Sequence, residues 1–151
     1  MVVTGLLSVA TAITIYALTE QAPDATTFES GVVNDFLVGL FGGIPFLYDP
    51  SSDLWLGIGI RHWAHVAEFG ALGVFVALSA WFAMKPRLVR AGGVSLAICA
   101  ACSLLDQCHK LFVPGRHFDG FDLAMDALGY CIAIAVVLAV GKLAQRGTTG
   151  T

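Results

Sequence analysis

Hydrophobic residues along the chain fall into four long runs, and polar residues collect between them. Val2 to Leu18 is unbroken by charge for about 17 residues, just enough helix to cross a hydrocarbon core of about 30 Å. The pattern predicts further spans over residues 62–84, 88–110 and 121–143. Trp63 and Trp81 sit near the ends of the second span, where aromatic side chains favour a membrane interface, and Lys85-Pro86-Arg87 stops it. The third is rich in Ala, Gly, Cys and Ser. Small residues let helix backbones approach, so this span is expected to be the central one. Gln145 to Thr151 reads as a frayed polar tail.

Between the first and second runs lies a long connection, Thr19 to Gly59. Within it Val32, Val33, Phe36, Leu37, Leu40 and Phe41 recur at helical spacing. This predicts an amphipathic helix over about residues 31–41, with Ser30 as its N-cap, lying in the interface rather than crossing it. Gly42-Gly43 ends it, and Pro45 and Asp49-Pro50 mark turns. The fold expected is an all-α integral membrane four-helix bundle, a single domain, with this interfacial helix in the first extracytoplasmic loop.

Composition agrees with a bilayer. Of 151 residues 57% are hydrophobic and 13% charged, against about 25% charged in soluble domains. The net charge of −3 comes without any basic run that could track phosphates, so nucleic acid is not an expected partner. Cys99, Cys102, Cys108 and Cys131 lie in or beside apolar runs and read as packing residues, not as a disulfide framework. No metal or cofactor is expected; a site built from His65, Glu68, Asp122 and Asp126 is conceivable, but the spacing does not demand one.

Charge distribution orients the chain. Lys85, Arg87 and Arg90 follow the second span, and Lys142 and Arg146 follow the fourth. Positive loops face the cytoplasm, so both termini are expected there. Arg61, Lys110, Arg116 and all eleven acidic residues fall on the other side.

The candidate chemistry lies at that outer edge. Arg61, His65 and Glu68 stand at i, i+4 and i+7 on one helix face, with Glu68 roughly 10 Å deeper than Arg61. Asp106 and Lys110 are four apart, as are Asp122 and Asp126, whose face Gly129 continues. Pro114-Gly115-Arg116 presents an arginine in the turn between them. A charge at mid-bilayer costs about 2.5–3.5 kcal/mol, so these groups are expected to turn inward and pair, or to line a wet cavity. The bland alternative is that the network only fixes helix order. His62, His109 and His117 read as interfacial or loop residues, and Asp119 and the first-loop acids as solvated surface.

Arg61-x-x-x-His65-x-x-Glu68-Phe69-x-x-Leu72-Gly73, then Asp106 with Pro114-Gly115-Arg116, then Asp122-x-x-x-Asp126-x-x-Gly129, together resemble the VanZ-like family over about the last 90 residues. The family usually carries Asp-Glu-x-x-Gln before its Pro-Gly-Arg. Here Gln107 and Lys110 replace that Glu and Gln, which removes a carboxylate and adds a cation. The resemblance implies a multi-pass protein of the bacterial inner membrane, linked to resistance to the glycopeptide teicoplanin.

Two functional classes stay open at this point. In the first, Arg61, His65, Glu68, Asp106, Lys110, Arg116, Asp122 and Asp126 form a pocket binding an anionic membrane lipid, a lipid-linked cell-wall precursor or a lipoglycopeptide. In the second, an enzyme acts on a lipid-linked phosphate, with His65 as base or nucleophile, Glu68 or Asp122 orienting it, and Arg61 and Arg116 stabilising charge. A proton-coupled path is a weaker third, since Ser79 and Ser95 are the main polar residues deeper in the spans. Assembly into a homo-oligomer is left open.

Overall fold

The computed structural model describes residues 2–21, 23–85 and 87–148. Pro86, residues 149–151 and the side chains of Asp24 and Glu29, all named above, lie outside that description.

Among the described residues five helices carry the chain: α1 (Val2–Glu20), α2 (Pro23–Phe41), α3 (Ile60–Met84), α4 (Leu88–Lys110) and α5 (Gly120–Thr148). All but α2 are long and apolar enough to span a membrane. Their outer faces remain apolar and open: Leu104, Leu105, Ile132, Val136 and Val140 are all more than half exposed. In water such surface would drive aggregation; in lipid it is matched.

The core lies where α3 meets its neighbours. Ile15, Phe69, Leu72, Val76, Cys99, Ile134 and Val137 form one buried cluster. The central helix is α3 and not α4: α3 packs against α1, α2, α4 and α5, most extensively against α5. The small residues of α4 misled the expectation because Gly93, Ala97, Ala100 and Ala101 are exposed. Those that permit the closest approach are on α3 and α5. A Cβ on Gly129 would stand 2.3 Å from the Val66 carbonyl oxygen, and one on Gly73 would stand 2.9 Å from the Tyr130 Cα.

Beyond shifts of a residue or two at helix ends, the elements depart from the sequence expectation in three places. Helix α2 begins at Pro23, so Ser30 is inside it and caps nothing. Proline suits a first helical position, where its missing N–H costs no bond. Helix α5 runs through the polar tail to Thr148, and Arg146 in its last turn complements the helix dipole. The third difference is a two-stranded hairpin, β1 (Tyr48–Asp49) with β2 (Leu54–Trp55), where only turns were expected. Its loop is built on side chains. Asp49 accepts hydrogen bonds from the Ser51 N–H and from the Ser51 and Ser52 hydroxyls at 2.7–2.9 Å.

The hairpin is latched to α2. Asp53 accepts from Tyr48 Oη at 2.7 Å and from Asn34 Nδ2 at 2.9 Å, while Trp55 Nε1 donates to Asn34 Oδ1 at 2.7 Å. Trp63 Nε1 at the start of α3 donates to the Trp55 carbonyl. Asn34→Ala removes two of these bonds, and a net loss of about 1–3 kcal/mol is expected locally. Hydrogen exchange should then quicken across residues 44–58 while α3 and α5 keep their protection. The Tyr48 and Asn34 bonds hold the Asp53 carboxyl below its usual pKa. The latch is therefore complete above the ordinary carboxylate value, and loosens as pH falls through the depressed one.

Candidate functional site

Three helices bring a compact acid–base cluster together beneath the end of the bundle that carries the α2–hairpin segment. Four-residue spacing places Asp106 and Lys110 on one face of α4, and Asp122 and Asp126 on one face of α5. Helix α3 inserts His65 between them. His65 Nδ1 lies 2.9 Å from Asp126 Oδ1, and Nε2 lies 3.4 Å from Asp122 Oδ2. Lys110 Nζ donates to Asp122 Oδ2 at 2.9 Å, and stands 3.7 Å from Asp106 Oδ2 and 3.4 Å from His65 Nε2. The lysine is 1% exposed, which places its amino group among buried carboxylates.

Ligand atoms of His65, Asp106 and Asp126 lie within 4.8 Å of one another, a spacing that could admit a metal ion. The Lys110 ammonium already supplies a cation to this group. It reaches Asp106 and Asp122 directly and abuts the His65 ring.

Several partners were not anticipated from the sequence. Ser103 Oγ donates to Asp126 Oδ2 at 2.7 Å, and Thr19 Oγ1 of α1 donates to Asp106 Oδ1. Ser103 was detectable, because it precedes Lys110 by seven residues and shares its helix face. Thr19 gave no such signal. His62 is not a bystander: its Nδ1 lies 2.8 Å from Asp122 Oδ1. His109 likewise pairs with Glu20 at 2.7 Å and stacks on Tyr16. Asp119 is half-buried and caps α5, accepting from the Phe121 N–H at 2.8 Å. Gln107 is fully buried, and its Oε1 accepts from the Asp119 N–H.

Three of the sequence candidates stand outside the cluster. Arg61, Glu68 and Arg116 line a groove of about 360 Å³ that His65 also borders. Its remaining walls are mainly apolar: Leu18, Val33, Leu37, Ile60, Trp63 and Ala67. Glu68 makes no hydrogen bond among the described residues. Arg116 is fastened to the end of α1, donating to the Leu18 and Gln21 carbonyl oxygens at 3.1–3.2 Å. Burial, and after it the charge of Arg61, lower the pKa of Arg116 from the usual guanidinium value. A second, smaller cleft of about 180 Å³ lies next to the groove and is lined by Arg61, His62, Arg116, His117, Asp119 and Asp122. Arg61 and Arg116 therefore border both cavities. An apolar crevice of about 470 Å³ beside α1 offers less chemistry, since Asp106 and His109 on its wall are already paired.

Fold and site together define a polytopic α-helical membrane protein whose buried charge network adjoins an amphipathic groove. The chain matches the VanZ/LLP1 family over residues 3–141, and it belongs to that family. No curated protein and no solved structure matches it.

Proposed function

We propose that this protein binds an anionic envelope lipid, or a lipid-linked cell-wall precursor or lipoglycopeptide carrying the same chemistry. Acyl or isoprenoid chain would lie in the groove, and the anionic head would rest on Arg61 and Arg116. The observation that carries this reading is one cavity joining apolar walls to two neighbouring guanidinium groups. Like charges repel, and an anion between them relieves that repulsion while forming charge-assisted hydrogen bonds. The buried cluster serves as foundation: it ties α3, α4 and α5 together directly beneath the headgroup.

Orientation supports the same reading. With both termini in the cytoplasm of a bacterial cell, the groove faces the outer leaflet and Lys85, Arg87, Arg90, Lys142 and Arg146 face inward. Phe28, Val32, Phe36 and Leu40 form an exposed stripe on α2, at the spacing suited to a helix lying in the interface. The family's link to teicoplanin resistance makes cell-wall precursors and lipoglycopeptides natural ligands to examine.

Purification in mild detergent followed by native mass spectrometry should recover an anionic lipid at one copy per chain. Arg61→Ala should weaken rebinding about 10–100-fold while leaving the melting temperature near that of the parent. Recovery of bulk lipid alone, equally from both proteins, would reject the reading.

A further inference from the structure

His65 was the sequence candidate for a reactive imidazole, but both of its ring nitrogens are engaged and it is only 8% exposed. His62 is differently placed. Its ring is 30% exposed, it lines the 180 Å³ cleft, and only Nδ1 has a partner among the described residues. That partner is Asp122. An ionised carboxylate can only accept, so Nδ1 carries the proton, and in the neutral ring Nε2 holds the lone pair. Asp122 is itself held on its other oxygen by Lys110 at 2.9 Å. Phe121 meets the ring edge-on, with centroids 4.8 Å apart, and limits its rotation. The result is an oriented, carboxylate-backed base beside two arginines.

The cleft's charge selects the group it would take. Asp122 is paired with Lys110 through one oxygen and with His62 through the other, and Asp119 Oδ1 is committed to the α5 cap. Arg61 and Arg116 give the cleft its cationic lining, with His117 beside them. Two guanidinium groups match a dianion better than a monoanion, and a tetrahedral phosphate can engage both. A terminal phosphomonoester fits this description, whereas a phosphodiester headgroup carries one charge and is substituted on both sides.

We propose that His62, oriented by Asp122, is a catalytic residue for hydrolysis of a lipid phosphomonoester whose chain occupies the groove; this rests on the lipid-binding reading above. His62 Nε2 attacks phosphorus, and the N–P bond forms as the bond to the lipid alcohol oxygen breaks. That oxygen takes a proton from the His117 imidazolium. Water then adds to phosphorus, breaks the N–P bond and returns its proton to His117, so lipid phosphate and water become lipid alcohol and inorganic phosphate. Arg61 and Arg116 stabilise the charge on the equatorial oxygens.

The test uses the full chain in nanodiscs containing either phosphatidic acid or farnesyl phosphate, with phosphatidylglycerol as the diester control. Release of inorganic phosphate from one monoester is expected, and which of the two reacts identifies a glycerolipid or an isoprenoid source. His62→Gln should lower release by at least about 100-fold while still binding that lipid and melting as the parent does. Phosphorus NMR of acid-sensitive, base-stable adducts on the parent provides a second readout. Tight binding of both monoesters without phosphate release, or release that His62→Gln leaves intact, overturns the catalytic assignment and leaves lipid binding standing. Failure to bind any anionic lipid overturns both.

Discussion

Lys110→Met is expected to be among the most damaging single changes in the protein. It keeps most of the length of the side chain and deletes its charge, leaving Asp106, Asp122 and Asp126 buried together without the ammonium. Removing one member of a buried ionic group typically costs about 3–5 kcal/mol, because the remaining charges lose their compensation. A large fall in melting temperature in detergent is the expected reading. The paired change Lys110→Met with Asp122→Asn should recover part of the loss, because it removes one carboxylate with the cation. A double variant no more stable than the sum of the single losses would show that the pair does not couple.

Gly129→Val should be comparably severe for a different reason. At this point the α5 backbone runs directly against α3, and an added Cβ would meet the Val66 carbonyl oxygen at 2.3 Å and the Gly70 nitrogen at 3.0 Å. Those atoms are backbone and cannot rotate aside. Overpacking usually costs about 1–3 kcal/mol, and a β-branched side chain here should reach or pass the top of that range. The damage should also reach the charge cluster. Val66 adjoins His65, and Gly129 lies one turn from Asp126, so separating the helices lengthens the 2.9 Å His65–Asp126 contact. Gly93→Ala supplies the contrast: nothing lies within 4 Å of its added Cβ. There the helix preference for alanine, about 1 kcal/mol, should appear as unchanged or improved thermal stability.

The four long helices were legible because each is an apolar run of membrane-spanning length bounded by polar residues, a pattern independent of tertiary detail. Which helix occupies the centre was not. Small residues on α4 and on α3 look alike in sequence, and only packing shows that Gly73 and Gly129 meet a neighbouring backbone while Gly93 does not. The hairpin was missed for a similar reason. Two-residue strands have almost no periodicity, and the Asn34–Asp53–Tyr48–Trp55 latch joins positions that nothing in their spacing relates.

For the site, helical spacing grouped Asp106 with Lys110 and Asp122 with Asp126, because i, i+4 pairs share a face whatever the fold. It grouped Arg61 with His65 and Glu68 on the same grounds. The structure divides that second set: His65 enters the buried network, while Arg61 and Glu68 line the groove. The distinction between His62 and His65 depends on where α5 crosses α3, which is a tertiary fact. So is the link from Thr19 to Asp106, made across 87 positions of chain.

That last link bears on how the chain is assembled as it is synthesised. Helix α1 emerges from the ribosome before the other four, but polar contacts to it come from Asp106, His109 and Arg116, between 87 and 98 positions later. Until α4 and the turn after it have been translated and inserted, α1 lacks these contacts and rests largely on its apolar packing. A chain arrested before residue 106 should therefore leave that segment free to be cross-linked to lipid or to the insertion machinery, and completing the sequence should end that exposure.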